Sequence, residues 1–213
     1  MEHAELMAWR KSMRLELLAR RQALPGEQLH AFRLAIDQHL ERGFPRLCSG
    51  VVAFCWPIRK EYDARFLIHR LRERGAVAAL PVVVAPKTPL IFREWHPGVE
   101  MALGGLDIPY PKCSSEAVPN TVLLPMNGFD RQGFRLGYGA GFFDRTLAAF
   151  GASKPLVIGV TFELAAMETI DPQAWDIPAD FVVTERGIYR RDGTRKDSAL
   201  TFIGAPANGI KAG

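Results

Sequence analysis

The chain has 213 residues, of which 48% are hydrophobic and 23% are charged, which is typical of a globular protein and excludes a disordered or fibrous one. Its formal net charge of +4 is too small to indicate nucleic-acid binding by itself and suits an anionic small molecule equally well. The N-terminal stretch carries charges throughout, and the longest apolar run, AVAALPVVVAP, is short and interrupted by proline. We therefore expect neither a signal peptide nor a membrane span.

The cysteines indicate the compartment. Cys48, Cys55 and Cys113 are odd in number, and none of them forms a CxxC pair. This usage is typical of reduced thiols rather than of a disulfide framework or a metal site. We therefore expect a cytoplasmic protein.

Helices and strands alternate along the chain. Residues 4–22 are rich in leucine, alanine and arginine, contain no glycine or proline, and predict a first helix that ends at LPGE. Leu29, Phe32, Ile36 and Leu40 recur at three- and four-residue steps and predict a second helix, and a third is expected around residues 66–74. Six apolar runs have the length of strands: GVVAFCW, AVAALPVV, LIFREW, TVLLP, PLVIGVTF and DFVVTE.

This order of elements predicts the fold class. Several strands are apolar throughout, as a sheet covered on both faces requires. Strands that alternate with helices predict an α/β domain with a mostly parallel sheet, which we assign to residues 1–190. Residues 191–213 are polar, contain glycine and show little pattern, so we expect a loose C-terminal tail there.

The stretch RLGYGAGFFDR, residues 135–145, is the strongest functional signal. It follows the buried strand TVLLP, and ligands of open α/β sheets bind where loops leave the carboxyl ends of strands. Phe143, Leu147 and Phe150 recur at helical spacing, so residues 137–141 should form a loop that leads into a helix N-terminus. A glycine backbone and the free N–H groups of a helix N-terminus attract phosphate.

Charged and aromatic side chains flank these glycines. Arg135 and Arg145 can bind phosphate through paired hydrogen bonds, and Asp144 is the type of oxygen ligand that holds Mg²⁺ against a nucleotide. Each feature has an alternative. The glycine pattern is as typical of a tight turn as of phosphate binding, and it is neither a Walker loop nor the dinucleotide fingerprint. Asp144 could instead cap the helix, and Phe142 or Phe143 could face the core.

The longer stretch PMNGFDRQGFRLGYGAGFFDRTL resembles the signature of the 5-formyltetrahydrofolate cyclo-ligases, also called methenyltetrahydrofolate synthetases. Phe142 and Phe143 replace a pair of tyrosines, which removes the hydroxyls but preserves the aromatic faces. The matching positions are Pro125, Gly128, Phe129, Asp130, Gly133, Arg135, Leu136, Gly137, Gly139, Gly141 and Asp144.

The resemblance covers about residues 8 to 190. In RKSMR, Arg10 and Arg14 are similar to the basic positions of the family's first helix, and Lys11 is one position out of phase. FCWPIRKEYDAR places Glu61 where the family carries a substrate-contacting glutamate. WDIPADFVVTE keeps two aspartates of the last motif, at positions 176 and 180. Two further positions depart from the family pattern: Tyr110 replaces a glutamate and Trp175 replaces a histidine.

The resemblance implies a three-layer α/β/α fold of the kind shared with ribose-phosphate isomerases and CoA transferases. It implies ATP- and Mg²⁺-dependent conversion of 5-formyltetrahydrofolate to 5,10-methenyltetrahydrofolate, with release of ADP and phosphate. The implied catalytic residues are Arg135 and Asp144, and the implied metal ligands are Asp144 and Asp176. Trp56, Glu61, Tyr138, Phe142 and Phe143 are implied to bind the substrate. The implied ATP-binding residues are Arg10, Lys11, Arg14, Arg135, Leu136, Gly137, Tyr138, Gly139, Ala140, Gly141, Phe142, Phe143 and Arg145.

Other interpretations of the same residues stay open. Without the resemblance, Glu61 reads as a solvated loop residue, Arg10 and Arg14 as a solvated helix face, and Trp56 as a core residue. A sugar-phosphate isomerase or CoA transferase on the same fold is the alternative enzyme, because a fold does not fix a function. A nucleic-acid-binding module would need an interleaved basic and aromatic surface, which the sequence does not indicate. We expect small-molecule substrates, no nucleic-acid or membrane partner, and a monomer or weak homo-oligomer.

Overall fold

The computed structural model describes residues 2–193 and 198–204, which form four α-helices and twelve β-strands. The helices are α1 (His3–Gln22), α2 (Gly26–Gly43), α3 (Arg65–Glu73) and α4 (Phe142–Phe150). The strands are β1 (Val51–Phe54), β2 (Val77–Val82), β3 (Ile91–Trp95), β4 (Met101–Leu103), β5 (Pro109–Pro111), β6 (Thr121–Pro125), β7 (Gly128–Phe129), β8 (Arg135–Leu136), β9 (Leu156–Val160), β10 (Phe181–Thr184), β11 (Gly187–Arg191) and β12 (Leu200–Gly204).

The four predicted helices are confirmed, and their ends have local causes. A capping box between Glu2 and Glu5 starts α1, because each side chain accepts a backbone N–H that the helix itself leaves unpaired. The predicted stop at LPGE is also confirmed, since α1 ends at Gln22 and Pro25 precedes α2. In α2, Ile36 and Leu40 lie one turn apart and are fully buried.

The main sheet has eight strands in the order β12-β11-β10-β9-β6-β1-β2-β3. The five central strands from β10 to β2 are parallel, and β3, β11 and β12 add antiparallel edges. The chain passes from β1 to β2 and β3 on one side and then returns to β6 on the other. This reversal opens a crevice at the carboxyl ends of β1 and β6, where ligands of such sheets bind.

Helices cover both faces of this sheet, so the expected three-layer α/β/α fold is confirmed. Successive side chains of β1 point to opposite faces of the sheet. Val52 and Phe54 pack with α2 and α3 in the hydrophobic core on one face. Ala53 packs with Leu147 of α4 in the core on the other face. Helix α1 lies against a smaller cluster in which Leu17 contacts the loop segments that carry the signature residues.

The structure adds strands that the sequence did not predict. The hairpin of β4 and β5, the two-residue strands β7 and β8, and strand β11 were all missed. The expectation of a loose tail from residue 191 is wrong for Leu200–Gly204, which pairs with β11 because that edge strand offers unpaired backbone groups. The rest of that prediction, at 194–197 and 205–213, lies outside the described residues. In the part of the chain that the structure describes, no helix is long and apolar enough to cross a membrane.

Candidate active site

A cleft of about 1060 Å³ lies at the carboxyl ends of β1, β2 and β6. It brings together most of the predicted site residues: Arg10, Arg14, Trp56, Glu61, Arg135, Gly137, Tyr138, Gly139, Ala140, Gly141, Phe142, Phe143, Asp144, Arg145 and Asp176. Two predicted residues do not line it. Lys11 is exposed, because one step along a helix turns its side chain about 100° away from Arg10. Leu136 is only 1% exposed and packs in the core beneath the loop.

A buried carboxylate holds the turn that precedes the glycine loop. Asp130 is 1% exposed, and its two oxygens accept N–H bonds from Gln132, Phe134 and Ile170 at 3.0–3.2 Å. Burial raises the pKa of Asp130, and these N–H bonds oppose the rise. Strands β7 and β8 pair directly beside this turn, so the loop that follows starts from a fixed base.

The glycine loop, residues 137–141, leads into the N-terminus of α4 as predicted. Gly139 has φ +97° and Gly141 has φ +66°, a region that favours glycine, and Gly141 forms the N-cap of the helix. Arg14 Nε donates to the Gly137 carbonyl at 2.7 Å. A Cβ atom on Gly139 would lie 3.4 Å from Arg14 Cζ, so this guanidinium packs directly on the loop.

Two arginine–aspartate pairs tie the cleft together. Arg135 Nη2 lies 2.7 Å from Asp144 Oδ1, which also accepts the Ile177 N–H at 3.1 Å. Arg10 Nη2 lies 2.7 Å from Asp176 Oδ2. The alternative that Asp144 caps α4 is not what the structure shows, because its carboxylate binds Arg135 and Ile177 and not the N–H groups of its own helix.

The solvated-face interpretation of Arg10 is wrong. Arg10 is 6% exposed, and its guanidinium also donates to the carbonyls of Ile170 and Asp171. Burial and the nearby charge of Arg10 lower the pKa of Arg14. Arg10 is neutralised by Asp176, whereas Arg14 donates to the neutral Gly137 carbonyl and lies close to a second cation, which favours an anionic ligand beside it.

Glu61 marks the other end of the cleft. Its Oε1 accepts the Tyr138 hydroxyl at 2.7 Å, and its Oε2 accepts the Ile58 N–H at 3.1 Å. Burial raises the pKa of Glu61, although these hydrogen bonds and the charges of Arg21 and Arg59 oppose the rise. Glu61 is therefore a partly buried, hydrogen-bonded group and not the solvated loop residue of the alternative interpretation. Trp56 packs against the core, as the core interpretation predicts, and also lines the cleft, as a substrate-binding residue would.

The structure separates the two C-terminal aspartates. Asp176 lines the cleft, whereas Asp180 binds Lys154 Nζ at 2.9 Å and the Val157 N–H at 2.8 Å away from it. Sequence reasoning assigned no role to Tyr110 or Trp175, yet both line the cleft.

Comparison with known proteins identifies the family. The model of the 5-formyltetrahydrofolate cyclo-ligase family matches residues 6–185. The chain belongs to this family. The chain is 30% identical over 176 residues to the 5-formyltetrahydrofolate cyclo-ligase of Escherichia coli K12, a match that covers 80% of this chain and 97% of that protein. It is 33% identical over 141 residues to the Mycolicibacterium smegmatis cyclo-ligase, covering 62% and 72%.

Solved structures agree with the family assignment. The Aquifex aeolicus 5,10-methenyltetrahydrofolate synthetase superposes with a TM-score of 0.74 at 26% identity and covers 87% of this chain and 95% of that one. The Mycoplasma pneumoniae synthetase gives a TM-score of 0.67 at 22% identity, covers 83% and 98%, and supports the fold. This cyclo-ligase family member is a ligase of folate metabolism, and the isomerase and CoA-transferase alternatives are not favoured.

Proposed function

We propose that this chain converts 5-formyltetrahydrofolate to 5,10-methenyltetrahydrofolate in the cleft described above, with ATP as co-substrate and ADP and phosphate as products. The observation that carries the proposal is one cleft that joins a glycine loop, four arginines, two aspartates and an acceptor glutamate. The family to which the chain belongs supports both the reaction and the use of ATP.

The chemistry needs positioning more than covalent help. An N-formyl group reacts poorly because its oxygen is a poor leaving group. When that oxygen attacks the γ-phosphorus of ATP, an O–P bond forms and ADP leaves. The folate N10 then attacks the activated carbon, a proton leaves N10, and the C–O bond breaks to release phosphate. Phosphoryl transfer of this type depends mainly on alignment and on neutralised charge.

The glycine loop and its arginines supply an anion site for the ATP phosphates. The first turn of α4 presents free N–H groups behind Gly141, and Arg14 lies directly against Gly139. Arg145 Nη2 donates to the Ala140 carbonyl at 2.5 Å, while its Nε is buried without a partner. An incoming phosphate could satisfy that N–H group, which favours Arg145 as a phosphate ligand.

The aspartates fit Mg²⁺ only together with the nucleotide. Among the described residues no group of three His, Cys, Asp or Glu side chains could hold a metal. Mg²⁺, however, is usually bound by one or two carboxylates plus substrate phosphates and water, and Asp144 and Asp176 line the same cleft as hard oxygen donors. Bound there, the metal would neutralise charge on the phosphates. Arg135 and Arg10, which pair with these aspartates, could then bind the phosphates instead.

Glu61 and aromatic side chains would hold the folate. The ring N–H groups of the pterin need an acceptor, and each Glu61 oxygen keeps a lone pair beyond its present hydrogen bond. Flat faces for the pterin are offered in the same cleft by Tyr138, Phe142, Phe143 and Trp56.

The location and oligomeric state are also proposals. Free cysteines at positions 48, 55 and 113 support a reducing, cytoplasmic location. We propose a monomer or weak homo-oligomer, which sedimentation would test.

The test is to mix the protein with ATP, Mg²⁺ and 5-formyltetrahydrofolate and to follow methenyltetrahydrofolate by its absorbance. We expect one ADP and one phosphate for each product molecule, and no product when ATP is omitted. Turnover that continues without ATP would favour an isomerase or transferase. No turnover by folded protein in the complete mixture would refute the proposed function.

A further inference from the structure

Arg21, near the end of α1, makes two hydrogen bonds at the folate end of the cleft although it does not line the cleft itself. It is 3% exposed. Its Nη2 donates to the Tyr138 hydroxyl at 2.8 Å and its Nε donates to the Arg59 carbonyl at 3.0 Å. Its charge also lowers the pKa of Glu61. Neither the sequence patterns nor the chemistry proposed above gives this arginine a role.

The direction of these hydrogen bonds is fixed by the donor groups. Arginine has no acceptor, so the Tyr138 oxygen must accept from Arg21 and its own proton must point elsewhere. That proton is donated to Glu61 Oε1 at 2.7 Å. Burial and the charge of Glu61 raise the pKa of Tyr138 to about 12, so the phenol keeps its proton at neutral pH.

The loop that carries Glu61 is held to the same helix end. Lys60 Nζ donates to the carbonyls of Gln22 and Leu24 at 2.7 and 2.9 Å, and Arg59 and Lys60 adopt positive φ angles of 50° and 59°. Such angles cost energy in residues with side chains, so the surrounding contacts must maintain them. With Ile58 N–H on Oε2 and Tyr138 on Oε1, the Glu61 carboxylate is held from both sides.

We infer that Arg21 is a positioning residue for folate binding, which acts through the Tyr138 hydroxyl to fix the orientation of the Glu61 carboxylate. The inference rests on the proposed function, in which Glu61 accepts the pterin N–H groups. Tyr138 donates to one Glu61 oxygen and Ile58 to the other, which leaves one lone pair on each oxygen for a ligand with two adjacent donors. Because Tyr138 belongs to the glycine loop, the same contact links the folate end of the cleft to the phosphate end.

Tyr138→Phe is the first test, because it removes the hydroxyl and keeps the ring. Tyr138 is 38% exposed, so the variant should fold. We expect the KM for 5-formyltetrahydrofolate to rise about 3- to 10-fold, the effect of one hydrogen bond, with a smaller change in the KM for ATP. Arg21→Lys, which keeps the charge but cannot reproduce both bonds of the guanidinium, should shift the folate KM in the same direction. Tyr189→Phe is the matched control, since it loses a 2.7 Å bond to Glu163 outside the cleft and should leave the folate KM unchanged.

The pH profile distinguishes positioning from a general loss of structure. Glu61 is faced by Tyr138 from the glycine loop, Arg21 from α1, Arg59 from its own loop and Cys55 from the end of β1. The Tyr138 hydrogen bond is the strongest influence that lowers the pKa of Glu61, so its loss should raise this pKa further. The carboxylate is then lost at a higher pH, and the acidic limb of kcat/KM for folate should move upward in Tyr138→Phe and stay in place in Tyr189→Phe.

A double variant decides whether Tyr138 acts through Glu61. If it does, adding Tyr138→Phe to Glu61→Gln should not raise the folate KM beyond that of Glu61→Gln alone. Additive effects, or an unchanged folate KM and pH profile in Tyr138→Phe while Glu61→Gln is impaired, would overturn the inference and leave the proposed function standing. If Glu61→Gln itself leaves folate binding unchanged, the proposed folate site is wrong as well.

Discussion

Replacing Asp144 by asparagine tests whether its carboxylate serves a metal or only a structural ion pair. The side chain is 21% exposed and its Oδ1 accepts from both Arg135 and the Ile177 N–H. Asparagine has nearly the same shape and can still accept both bonds through its carbonyl oxygen. The substitution therefore removes the negative charge and preserves most of the geometry.

The stability cost follows from these contacts. Arg135 is 6% exposed and retains its 2.7 Å bond from Nη1 to the Ile177 carbonyl, so it is not left without an acceptor. Only the charge-assisted part of one hydrogen bond is lost, about 1–2 kcal/mol. For a chain of this size that corresponds to a fall in melting temperature of a few degrees. The folded state should therefore survive.

The catalytic cost should be larger. Substituting a residue that only hydrogen-bonds to a metal ligand typically lowers metal affinity or activity by about 10–100-fold. Removing a charged group that binds the metal directly should lower it at least as much. We expect the Mg²⁺ concentration for half-maximal rate to rise at least about tenfold, with kcat reduced and partly restored by high Mg²⁺ or by Mn²⁺. The assay is the initial rate of methenyltetrahydrofolate formation as a function of metal concentration, at saturating ATP.

Asp180→Asn is the matched control for this experiment. Asp180 also pairs with a cation and a backbone N–H, at Lys154 and Val157, but lies outside the cleft. The two side chains of this pair are 30% and 36% exposed, so the loss of the pair should cost at most about 1 kcal/mol and leave the metal titration unchanged. Superimposable metal titrations and equal kcat for Asp144→Asn and the unsubstituted protein would refute the metal role.

Three further predictions concern the loop, the folate end and the scaffold. Gly139→Val should raise the KM for ATP at least about tenfold in steady-state kinetics. Gly98→Val is its control, because Gly98 has a similar φ of +89° and its Cβ would meet open space. Both substitutions should cost about 1–2 kcal/mol of backbone strain, but Gly98→Val should leave ATP binding intact. Glu61→Gln should raise the folate KM about tenfold while the KM for ATP changes less than twofold, and an equal rise in both would point to misfolding. Asp130→Asn should lower the free energy of unfolding by about 2–4 kcal/mol in denaturant titration, because an amide NH₂ would meet buried N–H donors.

Long, periodic elements were predictable from the sequence, and short ones were not. Helix α1 was expected at 4–22 and is found at His3–Gln22, because leucine and arginine repeat over five turns. Strands β7 and β8 have two residues each, too few for any periodicity. The β4–β5 hairpin contains prolines at both ends of β5, which a sequence pattern reads as loop. That omission also hid Tyr110, which this hairpin places in the cleft.

The partners of the site arginines could not be read from local sequence. Arg10 looks like one of several basic residues on a solvated helix, and its buried state depends on carbonyls and a carboxylate that lie 160 or more positions away. The same holds for Arg21, whose role depends on Tyr138 in the glycine loop and on the carbonyl of Arg59. Such contacts follow from the order of strands in the sheet, which a single sequence does not specify.

The signature residues divide into two groups that should respond differently to substitution. Asp130, Gly133 and Leu136 are buried and hold the base of the loop, and a Cβ on Gly133 would lie 3.2 Å from the Ala179 carbonyl at a φ of +83°. Gly137, Gly139 and Gly141 line the cleft, and among the described residues no atom beyond the chain neighbours of Gly137 lies within 4 Å of a Cβ built on it. Substitution in the first group should therefore reduce stability and activity together. Gly137→Ala should leave stability unchanged and weaken ATP binding, because the space that its methyl group takes is space that only a ligand would occupy.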